Sequence, residues 1–194
     1  MSEWTELGAT LADLPGAERS RRQKMAELAR DLTSAAYLRG DFVLSSGQRS
    51  NYYFDKYLFE TKPGILRRVA GFMAEMLPPQ TDRIAGTELG AVALATALSL
   101  ETGLPFIIPR KEMKAYSTSK GIEGELYAGE KVAVIEDVIS TGAQGIRAAG
   151  KVTAAGGQVV GIFAVIDREQ GGAEAMAAAG YDYAALFTLK ELGL

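Results

Sequence analysis

Residues 131–145 read Lys131-Val-Ala-Val-Ile-Glu136-Asp137-Val138-Ile139-Ser140-Thr141-Gly142-Ala143-Gln144-Gly145. The run Val132 to Ile135 is apolar and rich in β-branched residues, which predicts a buried strand. It passes directly into two adjacent carboxylates, Glu136 and Asp137. A turn of hydroxyls and glycine follows at Ser140-Thr141-Gly142, and helical spacing then runs from Gly145 to Ala155. Strand, turn and helix in that order are the repeating unit of a parallel α/β sheet. The turn before the helix offers free backbone N–H groups at the positive end of a helix dipole, a seat for a phosphate. Gly142 lets the backbone approach such a group closely, and the Ser140 and Thr141 hydroxyls add donors. Glu136 and Asp137 repel the same phosphate. They suit a sugar diol, and they suit positive charge developing on a nearby ribose ring.

On either side of this motif the chain alternates in the same way. Apolar residues at Met25, Leu28, Ala29, Leu32, Ala35 and Ala36 have helical spacing, which predicts a helix over 21–38 with Gly40 as its stop. Phe42 to Leu44 and Tyr52 to Phe54 read as two short strands around a turn at Ser45-Ser46-Gly47. Beyond Pro63, helices are expected over 65–76, from Gly90 through Leu100 and over 173–179. Strands are expected over 83–85, 106–108, 159–166 and 183–188. The expected architecture is a central parallel sheet flanked by helices on both faces. Ligands on such sheets bind beyond the carboxyl ends of the strands. Residues 1–20 read as an amino-terminal extension. Residues 21–194 read as a single domain whose first part, to about residue 60, forms a small hood.

The composition narrows the chemistry. The chain has 194 residues, 47% of them hydrophobic and 23% charged, with a net charge of -3. That is a globular composition with no global basic field for nucleic acid. Cysteine and histidine are both absent. This removes disulfides, thiolate nucleophiles, Ser-His and Cys-His pairs and HExxH zinc sites. No stretch approaches the roughly 18 apolar residues of a membrane span, and the first residues do not resemble a secretory signal. These features fit a cytoplasmic protein without membrane or nucleic-acid partners.

A local cationic cluster stands out against the acidic background. After the strand Phe106–Ile108 come Arg110, Lys111 and Lys114, and the polar, glycine-containing stretch from Ser117 to Gly124 lacks helical spacing. Taken alone this is a solvated loop. Placed between a strand and the carboxylate motif, it suits a flap that closes over a diphosphate and excludes water. Gly145-Ile-Arg-Ala-Ala-Gly150-Lys151 matches the start of a P-loop, but Val152 follows where Ser or Thr is needed and the stretch reads as helix interior.

The segment from Ile135 to Gly142 resembles the phosphoribosyl diphosphate signature of type I phosphoribosyltransferases. The flap pattern Arg110-Lys111-Glu-x-Lys114-x-Tyr116 narrows the resemblance to the orotate phosphoribosyltransferases, from about Arg21 to Leu194. The resemblance implies that Arg110, Lys111, Lys114 and Tyr116 bind the diphosphate, with Lys114 the principal catalytic cation. It gives the phosphoribosyl group to Glu136, Asp137, Val138, Ile139, Ser140, Thr141, Gly142, Ala143 and Gln144, and makes Asp137 a catalytic residue. It also implies that Tyr53 and Phe54 pack on orotate, that Arg168 holds the orotate carboxylate with Ser140 helping, and that the backbone of Gly86–Gly90 contacts the diphosphate. Mg²⁺ is implied as a cofactor carried by the diphosphate rather than by protein ligands, and a homodimer with shared active sites is implied. Many members carry Lys at the positions of Ser45 and Leu89, so those Lys roles are not carried over and backbone N–H groups take more of the work at Leu89. Many carry His at that of Tyr116, whose hydroxyl can still hydrogen-bond a phosphate oxygen but adds no charge. Two rivals remain at this point: a transferase for another base, and a non-catalytic regulator that binds the phosphosugar.

Overall fold

The computed structural model describes residues 20–43, 49–111 and 121–194. Lys114, Tyr116, Ser45 and the 1–19 extension lie outside the described residues.

Helix α1 (Arg21–Ala36) begins with a capping box. Ser20 Oγ accepts from Gln23 N at 3.3 Å, and Ser20 N donates to Gln23 Oε1 at 2.8 Å. The helix does not run on to Gly40. Tyr37 is already extended and opens strand β1 (Tyr37–Val43), which pairs antiparallel with β2 (Arg49–Phe54). Tyr37 lies opposite Phe54 and stacks on Tyr52 at 5.5 Å, so cross-strand aromatic packing wins over helix continuation. Gly40 falls instead where the register slips between Arg39 and Phe42.

A single helical turn, α2 (Tyr57–Glu60), follows, unmarked by any periodicity in the sequence. Helix α3 (Pro63–Ala74) starts with proline, whose missing N–H costs nothing in a first turn. Then come β3 (Arg83–Gly86), α4 (Gly90–Thr102), β4 (Phe106–Pro109), β5 (Ile122–Glu123), β6 (Lys131–Ile139), α5 (Ala143–Ala154), β7 (Gln158–Asp167), α6 (Gly172–Ala178) and β8 (Tyr183–Thr188).

Among the described residues the main sheet has the order β5-β4-β3-β6-β7-β8. Its neighbours are parallel except β5, which pairs antiparallel with β4 through Ile108↔Glu123 and Pro109↔Ile122. The wholly parallel sheet expected from the sequence is thus corrected at one edge. A two-residue strand within a polar stretch has no periodicity to read, and its pairing with β4 creates it.

Strand β6 is buried on both faces. Ala133 and Ile135 enter the core packed by α1, α3 and α4, while Val132 and Val134 enter the core packed by α5 and α6. This is why the strand reads as a continuous apolar run. It also extends further than that run. Glu136 pairs with Ala164 and Val138 with Ile166 in β7, so both carboxylates lie inside the strand and not after it. The length of β7 supplies the ladder that holds them there.

Candidate active site at the carboxyl edge of the sheet

The carboxyl ends of β3, β4, β6 and β7 open on one edge, and the predicted residues are distributed around it. Gly142 takes a left-handed conformation (φ 75°) as the residue before α5. A Cβ there would come within 3.0 Å of the Gly172 carbonyl, so only glycine fits on both counts. Ser140 and exposed Thr141 sit in this turn, with Ala143 on the first turn of α5, leaving the amino end of the helix open. Ile139 is buried in the core and can offer only backbone.

The two carboxylates are each 2% exposed. Gln144 Nε2 reaches back to Thr87 Oγ1 at 3.3 Å and to Glu136 Oε2 at 3.4 Å. Its side chain therefore braces Glu136, leaving its backbone for the turn. Burial, with the neighbouring charge of Asp137, lifts the Glu136 carboxyl from the ordinary 4.5 to about 7 against the opposing hydrogen bond from Thr87. Asp137 Oδ2 meets Lys56 Nζ at 2.5 Å, and Asp137 Oδ1 lies 2.5 Å from Val138 N. Lys56, Glu60 and Thr87 were not singled out from the sequence. Lys56 and Glu60 stand four residues apart around a one-turn helix, and no sequence pattern ties them to β6.

The β3–α4 turn forms the adjoining wall. Thr87 N donates to Ile135 O and Glu88 N to Pro109 O, both at 3.4 Å, and the Glu88–Leu89 peptide is cis. Those two N–H groups are committed, so any backbone contact to an anion falls to Leu89 and the first residues of α4. Arg110, directly after β4, pairs with Glu123 at 2.9 Å and reaches Glu88 at 3.8 Å. Lys111 N donates to Glu88 Oε2 at 2.7 Å. Arg110 and Lys111 thus line one small cavity with Thr87, Gln144, Arg147 and Lys151. Lys151 Nζ donates to the Arg110 carbonyl, which fixes the base of the flap to α5.

At the other side of β6, the register Ile139↔Asp167 puts Ser140 and Arg168 side by side just past the strand ends. Arg168 N donates to Ile139 O at 2.8 Å, and its Nε is buried without a hydrogen-bond partner. The Arg168 residue as a whole is half-buried, and its planar guanidinium suits a planar anion. Tyr53 and Phe54 leave β2 on opposite faces, as strand neighbours must. Phe54 packs toward Phe59 at 6.3 Å, whereas Tyr53 lies against Phe42 at 5.7 Å and is 43% exposed. The hairpin therefore presents Tyr53 to solvent and commits Phe54 to the core side. Among the described residues no three acidic side chains converge as a metal cage, and no helix is long and apolar enough to cross a membrane.

A buried Glu-Asp pair on β6, a glycine turn into a helix, and an Arg-Lys flap base just after β4, two strands away, are the features of the type I phosphoribosyltransferase class. No family model matches the chain. A curated orotate phosphoribosyltransferase of Pyrococcus horikoshii is 47% identical over 156 residues, covering 79% of this chain and 84% of that protein. One from a Nocardioides species is 43% identical over 167 residues, covering 86% and 93%. The crystal structure of the Mycobacterium tuberculosis orotate phosphoribosyltransferase in complex with Fe(III) dicitrate superposes with a TM-score of 0.81 at 33% identity, covering 88% of this chain and 99% of that one. The chain belongs to the orotate phosphoribosyltransferase family.

Proposed function

We propose that the protein transfers the phosphoribosyl group of 5-phosphoribosyl diphosphate to orotate, giving orotidine 5'-monophosphate and diphosphate in pyrimidine synthesis. The observation that carries this is the juxtaposition of Asp137, the Ser140–Gly142 turn and Arg168 at one edge of the sheet. The turn and the amino end of α5 take the 5-phosphate. Asp137, with Glu136 behind it, takes the ribose hydroxyls and stabilises positive charge on the ring as the anomeric bond breaks. Arg168 holds the orotate carboxylate and Tyr53 covers the base. The diphosphate leaves toward Arg110 and Lys111, with Lys114 supplied by the flap. A relative's structure, that of the Mycobacterium tuberculosis enzyme, is described in complex with 5-phospho-α-D-ribosyl 1-diphosphate, and it covers 88% of this chain at 32% identity.

Carboxylates and phosphate oxygens, with no thiol or imidazole, fit a hard cation, and we assign Mg²⁺ to the diphosphate. We read residues 21–194 as the transferase domain, working as a cytoplasmic homodimer in which each flap serves the partner's site.

Loss of orotate ultraviolet absorbance, followed with phosphoribosyl diphosphate and Mg²⁺, tests the reading. Turnover is expected in the wild-type protein and its collapse in Lys114→Ala. No turnover with orotate, but turnover with another base, would move the assignment to that base.

A further inference from the structure

Lys56 precedes α2 and Glu60 ends it. Residues four apart on a helix share a face, and this face meets Asp137. Lys56 Nζ contacts Asp137 Oδ2 at 2.5 Å. Glu60 is only 3% exposed, and its Oε1 has no hydrogen-bond partner. Asp137 Oδ2 is held by the Lys56 ammonium as a charge-assisted pair, and Glu60 interacts with the same carboxylate. Two interacting acids, both out of water, repel strongly if both are ionised. One proton held between them removes the repulsion and gives the Glu60 carboxyl a partner.

The electrostatics agree. Burial first, and then the charge of Asp137, push the Glu60 carboxyl up to about 8, with Lys56 opposing and Asp55 adding a smaller upward push. Burial pulls the Lys56 ammonium down, but the charge and hydrogen bonding of Asp137 outweigh it and leave the group above its ordinary value. The helices packed on α2 bring apolar residues to this region: Leu28 and Leu32 from α1, Val69 from α3 and Leu94 from α4 gather in the core with Phe59.

We propose that Glu60 and Lys56 are positioning residues for Asp137, the acid donating a hydrogen bond to its carboxylate from one side while the ammonium holds it from the other. The proposal rests on the reading of Asp137 as the carboxylate that meets the ribose. With Glu60 neutral, the charge of Asp137 is balanced by Lys56, and an anionic phosphosugar meets only the charge of Glu136, which ionises nearer 7 in wild type and Glu60→Gln alike. When Glu60 ionises, the cluster gains an uncompensated negative charge, and phosphosugar binding weakens. Affinity is thus full below the Glu60 transition and lost above it.

The test is calorimetric binding of phosphoribosyl diphosphate with Mg²⁺ between about pH 6.5 and 9.5, for wild type, Glu60→Gln and Lys56→Met. Above about pH 8, wild-type affinity should fall toward the tenfold per pH unit of one linked proton. Glu60→Gln, which keeps the donor and cannot ionise, should match wild type near neutrality and lack that fall. The same comparison cancels titration of the ligand itself. Lys56→Met should bind more weakly throughout. Carbon-13 NMR of labelled glutamate carboxyls should find one resonance, missing in Glu60→Gln, that titrates near 8 and moves higher in Lys56→Met. A Glu60 resonance in the ordinary carboxylate range, or an unchanged alkaline fall in Glu60→Gln, overturns the proposal. Orotate turnover is measured on the same samples. Linked binding without turnover would sink the base assignment alone, and absence of any phosphosugar binding would sink the functional reading together with this proposal.

Discussion

Gly90 sits directly over the Asp137 carboxylate. A Cβ built on Gly90 would lie 1.7 Å from Asp137 Oδ2 and 3.1 Å from Lys56 Nζ. The first residue of α4 and the carboxyl-terminal part of β6 therefore meet at a point with no room for a methyl group, on the carboxylate assigned to the ribose.

It follows that Gly90→Ala must displace Asp137, Lys56 or the start of α4. Overpacking of this kind costs about 1–3 kcal/mol, seen as a fall of several degrees in melting temperature. The larger expected effect is on turnover, because the displaced group is Asp137. A loss of kcat/KM of about a hundredfold is expected, since small misplacements at a reacting centre cost that much. Steady-state kinetics and a thermal melt of the same preparation check it. Unchanged kinetics would mean that the Asp137 seat tolerates movement.

Glu136 makes stability depend on pH. Its carboxyl is lifted from 4.5 to about 7 in the folded chain, burial being the main cause. Between those values the folded state binds more protons than the unfolded state, so stability falls as pH rises through this window and levels off above about 7. Glu136→Gln removes that contribution. The variant should lose less stability than wild type between about pH 5 and pH 8, by roughly 1–3 kcal/mol. Urea unfolding at the two pH values measures the difference.

Arg83 and Glu130 form a fork far from the chemistry. Arg83 Nε donates to Glu130 Oε2 at 2.8 Å and its Nη2 to Oε1 at 2.7 Å, with the Arg83 side chain 8% exposed. They join the start of β3 to the start of β6, at the edge opposite the site. Glu130→Ala leaves the guanidinium buried and unpaired, which should cost about 3 kcal/mol of stability. Catalytic constants at a temperature where the variant is folded should stay at wild-type values. A loss of activity without loss of stability would contradict the structural role.

Arg168→Lys tests the carboxylate assignment. Lysine keeps the charge but not the planar fork, and it lacks the buried Nε that stands without a partner. The KM for orotate should rise at least about tenfold while the KM for phosphoribosyl diphosphate stays within about twofold, consistent with the typical worth of a charge-assisted hydrogen bond. Equal rises in both would point to a role in shaping the Ser140 turn.

The alternation of apolar runs made the parallel core legible, because strands buried on both faces have no polar positions to obscure them. The strands at 106–109, 158–167 and 183–188 lie close to where the apolar residues predict them. The antiparallel β5 was not legible. Ile122 and Glu123 become a strand only because β4 has an open edge. Helix α1 was read too long because Tyr37 and Leu38 suit either state locally, and Tyr52 and Phe54 across the hairpin decide between them.

For the candidate site, residue type and spacing alone pointed to the consecutive groups Glu136 and Asp137, the Ser140–Gly142 turn and the Arg110-Lys111 pair, whereas Arg168 rested on the family resemblance. The consecutive groups depend on neighbours in the chain, where residue type and spacing fix what the backbone can offer. Only the tertiary structure decided that Lys56 and Glu60 converge on Asp137, that Gln144 donates to both Thr87 and Glu136, and that Gly90 closes over Asp137. These contacts bring α2, the β3–α4 turn and the start of α4 onto β6 and α5, across long stretches of chain, through packing geometry. A carboxylate's burial and its counterions, and hence its charge at a given pH, are properties of that packing and not of the residues beside it in the chain.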